Sequence, residues 1–325
     1  MTAARRRTPT PKTARKRTRP LRKLLGYLIV FIALAGFGAF QIAEKYADNL
    51  PYYQDLRARA YFFKDRLLKT MDPTVLIRSS EEAESSPYDN LKLGVPGMTD
   101  VVIDRRGYAL GYSEEFEQPL WVAYLLTADE VRNRKTGRTD DFRIDPYIST
   151  GSARLEDYAK NGFDRGHLAP AADMGWSAKT MSESFYFSNM TPQAPDFNRG
   201  VWRKLEEKVR DWAVDYGELY VVTGPVPARS GRTIGDNKVA VPPACYKVIY
   251  APRAKPPAMI GFVLPNARSS RQLEEFAVPV DAVEALTGLD FFSKLNGPEQ
   301  GRLESAVNPG QWKWSPNRSP ANSSR

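Results

Sequence analysis

Two residue types that carry much of protein chemistry are almost missing. The 325-residue chain has one cysteine, Cys245, and one histidine, His167. A lone cysteine excludes an intramolecular disulfide, and the two counts together exclude a zinc site built from cysteine and histidine. A bound metal therefore rests on oxygen donors, which favours Mg²⁺, Ca²⁺ or Mn²⁺. Acid is missing at the N-terminus. The first 23 residues hold ten Lys or Arg and no Asp or Glu. They supply more than the whole net charge of +9 and leave the rest of the chain at −1. The high isoelectric point thus belongs to a tail and is no argument for a basic folded surface. With 42% hydrophobic and 26% charged residues, the remainder has the balance of a globular chain with a sizeable core.

Next to the basic tail (1–23) stands "LLGYLIVFIALAGFGAFQIA", residues 24–43, without a charge and with one late polar residue, Gln41. A helix of this length spans the ~30 Å hydrocarbon core of a lipid bilayer. The basic flank keeps the tail in the cytoplasm and sends everything after residue 44 across. In a bacterium this describes a single-pass inner-membrane protein whose main domain faces the periplasm. Two other readings stand beside it. Ala33 to Ala35 fit a signal-peptide cleavage pattern, which implies secretion, and an Arg-rich, acid-free N-terminus also suits a mitochondrial protein facing the intermembrane space. Residues 44–90 read as stalk and linker, Asp72 to Asn90 being rich in Ser, Glu and Pro. A globular domain is expected over 91–314, followed by a disordered tail, 315–325, with no large apolar anchor.

Within that domain short apolar runs alternate with turns. "DVVIDRRGYALGYSEE" reads as a hairpin turning at Arg106-Gly107, and "PLWVAYLLT", "SFYFSNM", "ELYVVTGPV", "CYKVIYA" and "AMIGFVLPN" read as strands. "TADEVRN" opens with a Thr-x-x-Glu helix start. From Asn198, the residues Trp202, Leu205, Val209, Trp212, Ala213 and Tyr216 recur at spacings of three and four, one apolar stripe on a long helix. Strands with a few helices on them predict an α+β fold.

Three features bear on chemistry. "DRGH" sets Asp164, Arg165 and His167 in one short turn, where Asp or Arg can orient the imidazole. "FNRGVWRKLEEKVR" sets Asn198, Glu206 and Arg210 along the helix, with 198 and 206 about 80° apart after two turns. Each has an ordinary alternative. A lone histidine is commonly structural, Asn198 suits a helix N-cap, and Glu206–Arg210 suits a surface i, i+4 pair worth ~0.3–0.5 kcal/mol. The segment between the two motifs has room for short turns, a strand and a loop that returns the histidine to the helix, a ββα unit.

"DRGHLAPAADM" followed by "YFSNMTPQAPDFNRGVWRKLE" closely resembles the signature of the DNA/RNA non-specific endonucleases, the ββα-metal nucleases. The core of the resemblance covers roughly residues 160–225, and a weaker one extends over Leu120 to Val263. It implies a central antiparallel sheet with flanking helices and a hydrolase that cuts DNA and RNA through their phosphodiester backbone. It implies His167 as general base, Asn198 as direct ligand of Mg²⁺ (or Mn²⁺), and Glu206 as a carboxylate reaching the metal through water. Arg210 and Arg138 correspond to arginines near the phosphate, with Arg143 competing with Arg138, and Arg165 is the arginine of the family's motif, its role left open. It further implies 5′-phosphate products and the option of a homodimer. Elementary chemistry agrees. A neutral imidazole with a reference pKa of ~6.5 accepts a proton at physiological pH, and Mg²⁺ is commonly held by one or two protein oxygens. Two rival readings are a catalytically silent nucleic-acid or protein binding module, and a phosphodiesterase for small substrates.

Overall fold

The first strand already departs from the linker reading. In the computed structural model, which describes residues 73–229 and 231–314, β1 (Val75–Ile77) pairs antiparallel with β2 (Val101–Asp104). Between them α1 (Ser80–Glu84) is capped by the Ser79 hydroxyl, which accepts from the Glu82 N–H. The Ser and Glu of this stretch therefore cap a short helix at a sheet edge, and the folded unit begins upstream of Leu91. The basic tail, the expected anchor at 24–43, the expected stalk up to residue 72 and the tail at 315–325 lie outside the described residues. No described helix is long and apolar enough to cross a membrane.

The hairpin expected at Arg106-Gly107 joins β2 to β3 (Ala109–Ser113), and β3 pairs with β4 (Gln118–Thr127). α2 (Ala128–Arg132) starts in the expected capping box of Thr127 and Glu130. β4 pairs with β7 (Glu218–Pro225), β7 with β10 (Ala244–Ala251), β10 with β11 (Ala258–Pro265), and β11 with β12 (Ala277–Val278). The result is an eight-stranded antiparallel sheet, β1-β2-β3-β4-β7-β10-β11-β12, while β8 (Thr233–Ile234) and β9 (Val239–Ala240) pair with each other apart from it.

Both faces of this sheet are covered, which is why its central strands read as unbroken apolar runs. On β4, Val122, Tyr124 and Leu126 enter one core while Trp121 and Ala123 enter the other. The first core is closed by α5 (Arg203–Tyr216), through Leu205, Val209, Trp212 and Ala213, all fully buried. The second is closed by α6 (Val280–Thr287) and α7 (Gly297–Glu304), through Val280, Val283 and Leu303. The apolar stripe is thus in place, but the helix is not continuous from Asn198. Phe197–Trp202 forms a π-type turn in which Gly200, at φ −102° and ψ −113°, leaves helical geometry. Regular winding starts only at Arg203, so the 100°-per-residue relation between 198 and 206 does not apply.

Between α2 and α5 the chain builds a separate small hairpin. β5 (Asp164–His167) pairs antiparallel with β6 (Met190–Gln193), His167 opposite Met190 and Gly166 opposite Thr191. α3 (Leu155–Tyr158) precedes it and α4 (Ala178–Glu183) lies between its strands. With α5 following, this is the expected ββα unit, with two corrections. "DRGH" is a strand and not a turn, and Gly166 is needed for close packing: a Cβ there would lie 2.2 Å from Cδ of Gln193. The strand expected over "SFYFSNM" begins only at Met190, because Phe187–Asn189 form a 3₁₀ turn. The Asn189 amide holds that turn, donating to the carbonyls of Ala169 (3.0 Å) and Ser184 (2.8 Å) and accepting from Ala169 N–H (2.9 Å).

Candidate active site

Alternation along β5 puts Arg165 and His167 on one face and Asp164 on the other. His167 lies edge-on to Phe185, ring centroids 4.9 Å apart, and 5.8 Å from Phe142. The ring is partly exposed, yet its Nε2 is sealed from solvent and has no hydrogen-bond partner. Burial, then the guanidiniums of Arg138 and Arg165, lower its pKa from 6.5 to about 3. The imidazole is therefore neutral, the state a proton acceptor requires. Arg165 packs its guanidinium 3.9 Å from the Phe142 ring centre.

Asp164 does not orient His167. Its carboxylate accepts from Asn198 Nδ2 at 3.0 Å and from Arg199 Nε and Nη2 at 2.8 and 2.6 Å. Asn198 is accordingly no N-cap. The bond to Asp164 fixes the amide nitrogen, so the end left to other partners is the oxygen, a hard donor suited to Mg²⁺. Arg199, which sequence reasoning passed over, is the second clamp on Asp164.

The two competing arginines separate cleanly. Arg143 is built into the structure: its Nη1 donates to the carbonyls of Asp141 (3.0 Å) and Ser182 (2.8 Å), and its guanidinium stands 4.0 Å from the Tyr186 ring centre. Arg138 is about half exposed, pairs with Asp140 alone among the described residues (2.7 Å) and lies 4.9 Å from the Phe185 ring centre. Arg138, Arg165 and Asn198 line a common cavity of about 380 Å³, whose wall also includes Phe142, a neighbour of His167.

Glu206 and Arg210 form a second grouping. Arg210 pairs with the buried Asp173 at 2.8 Å and not with Glu206, so the surface i, i+4 reading fails. Tyr124 also donates to Asp173, at 3.1 Å. Burial raises the pKa of Glu206, opposed by Lys247 and reinforced by Asp173. Lys247, on β10, is fully buried, its Nζ is without a hydrogen-bond partner, and it lies 4.9 Å from the Trp202 ring centre. Asp173 and Lys247 were not legible as site residues, although an acid or a lysine inside an apolar run is the signal that finds them.

Comparison with known proteins places this geometry. The profile of the DNA/RNA non-specific endonuclease family matches residues 86–297. The human protein "Endonuclease G, mitochondrial" is 36% identical over 218 residues, 63% of this chain and 73% of its own length. The "Mitochondrial nuclease" of Saccharomyces cerevisiae is 32% identical over 279 residues, covering 74% of this chain and 84% of its own. Among solved structures, a crystal structure of the EndoG/EndoGI complex superposes with a TM-score of 0.60 at 33% identity, over 68% of this chain and 94% of that one. The chain belongs to the DNA/RNA non-specific endonuclease family and is a hydrolase of nucleic acids.

Proposed function

We propose that the chain is a Mg²⁺-dependent endonuclease in which His167 is the general base and Asn198 the protein ligand of the metal. The observation that carries this is the neutral, partly exposed imidazole of His167 against Phe142, at the wall of a cavity that collects an oriented amide oxygen and the guanidiniums of Arg138 and Arg165. The neutral imidazole of His167 takes a proton from the attacking water, whose oxygen forms the new bond to phosphorus as the bond to the 3′ oxygen breaks. The leaving oxygen is protonated from solvent, giving a 5′ phosphate and a 3′ hydroxyl. Asn198 would hold the metal directly and Glu206 through water. When bound, the metal supplies neutralisation of the charge growing on the leaving oxygen. Arg165, which has no carboxylate partner among the described residues, and Arg138 face the phosphate, while Arg210 steadies Asp173 beside Glu206. Base edges need not be read, because the contacts are to the backbone.

Residues 24–43 serve as membrane anchor in this proposal, with the nuclease on the far side. The relatives named above are mitochondrial, which fits the mitochondrial reading of the Arg-rich N-terminus; they lend no support to a bacterial inner membrane. The test is hydrolysis by the full chain in detergent. Plasmid DNA and RNA are expected to be degraded with Mg²⁺, to survive in excess chelator, and to be degraded again on Mg²⁺ addition. Binding without cleavage under any divalent cation would establish the silent module instead, and hydrolysis of bis-p-nitrophenyl phosphate alone the small-substrate phosphodiesterase.

The arginines make a second expected outcome. Arg138→Ala should cut kcat/KM about ten- to hundredfold with the melting temperature unchanged, as loss of one charge-assisted contact to phosphate does. Arg143→Ala should do the reverse, costing ~1–3 kcal/mol in urea unfolding because the Asp141 carboxylate and the carbonyls of Asp141 and Ser182 each lose a donor.

A further inference from the structure

The cavity beside His167 is more than a phosphate site. Besides Arg165 and Asn198 it is lined by Leu155, Tyr158 and Phe163, for which backbone recognition has no use. Leu155 is 51% exposed, an apolar side chain left in water at the cavity wall. Phe163 is half-buried, with the guanidinium of Arg232 4.9 Å from its ring centre. Tyr158 is stacked with Phe187, ring centroids 5.8 Å apart and planes 28° from parallel, and its hydroxyl is buried without a hydrogen-bond partner. The two carboxylates of the wall are neutralised, Asp140 by Arg138 and Asp164 by Arg199. A cavity of about 380 Å³ whose wall joins charged groups to a sector of Leu155, Tyr158 and Phe163, beside the Arg165 guanidinium that has no carboxylate partner among the described residues, has the composition of a site for a planar, partly polar ring joined to an anion.

We propose that this cavity is a slot for one unstacked nucleobase adjoining the scissile phosphate, with Leu155, Tyr158 and Phe163 as its contact surface. The proposal rests on the nuclease reading and adds to it a preference for single strands. A base enters such a slot only after leaving its stack, which is least costly where the strand is already unpaired. Stacking accepts every base, since each has a π-face, so the slot is compatible with cleavage without sequence specificity.

The test is an abasic scan. A single-stranded DNA oligonucleotide is given a tetrahydrofuran residue at one position at a time, and cleavage by the full chain with Mg²⁺ is mapped bond by bond. In the wild type, loss of the base at one fixed position beside the cut bond should reduce cleavage about five- to a hundredfold, the factor that base–aromatic stacking carries. In Phe163→Ala and in Leu155→Ser the intact-to-abasic ratio should approach one. Leu155→Ser changes a half-exposed residue, so it keeps the test decisive even where Phe163→Ala disturbs packing. Equal cleavage of intact and abasic positions by the wild type, or a ratio that persists in both variants, would overturn the slot. Absence of cleavage of any oligonucleotide by the wild type would overturn the nuclease reading itself.

Discussion

His167→Ala is expected to reduce kcat/KM on plasmid DNA by ~10²–10⁴-fold, the range a positioned general base contributes, and at the same time to make the fold more tolerant of acid. The second effect follows from linkage. In the folded chain the imidazole titrates at about 3, against 6.5 for the free group. Between those values the unfolded chain binds a proton that the folded chain does not, so stability falls as pH falls from 6.5 towards 3. The cause is the site's own architecture: the ring is packed against Phe142 and Phe185, and Arg138 and Arg165 repel a further positive charge. Removing the imidazole removes that acid sensitivity, on the order of 2 kcal/mol across the window after allowance for the ring's partial exposure. At pH 7 the variant should instead be slightly less stable, having lost the ring contacts. Urea unfolding at pH 7 and pH 4.5, beside a nuclease assay, separates the two. An active variant would end the general-base assignment, and an unaltered slope of stability against pH would show that the ring is not desolvated as described.

How far the sequence discloses this site depends on whether a residue's role is local. The capping box at Thr127, the hairpin at Arg106-Gly107 and the apolar stripe from Leu205 to Ala213 rest on short-range spacing, and all three stand in the fold. Expectations failed where a side chain's partner lies far along the chain. Asp164 was expected to serve His167 three residues on, but its carboxylate is used by Asn198 and Arg199, more than thirty residues away. Gly166 suggested a turn, yet it is required by Gln193 across the hairpin. Gly200 broke a helix that the apolar period alone made continuous, since periodicity registers side chains and ignores a backbone that cannot hold the winding. Arg138 and Arg143 could not be ranked from spacing. They are distinguished by the Ser182 carbonyl and the Tyr186 ring that Arg143 engages across the chain.

Asp145→Ala is expected to be the most destabilising single change outside the apolar cores, costing ~3–5 kcal/mol. Arg105 leaves β2 fully buried, and its Nη2 donates to both carboxylate oxygens of Asp145, at 2.6 and 2.7 Å. Its remaining nitrogens, Nε and Nη1, have no hydrogen-bond partner, and the guanidinium stands 4.8 Å from the Tyr186 ring centre, with Tyr108 and Tyr147 also within reach. The carboxylate further accepts from the Ser188 hydroxyl and from Tyr147 N–H at 3.0 Å. Removing it leaves a guanidinium in the interior with aromatic faces and only the Glu183 carboxylate, already paired with Lys179, to offset its charge, and an unpaired buried charge costs more than the pair itself is worth. The same pair ties the end of the main sheet to the turn that sets up β6, and β6 fixes the register of the strand carrying His167. Loss of activity in Asp145→Ala should therefore track the unfolded fraction, with kcat per folded molecule retained at temperatures where the variant is folded. The double change Arg105→Met, Asp145→Leu, which removes both charges, should recover a large part of the stability. A double variant no more stable than Asp145→Ala would show that the hydrogen bonds to Ser188 and Tyr147, and not the stranded charge, dominate the loss.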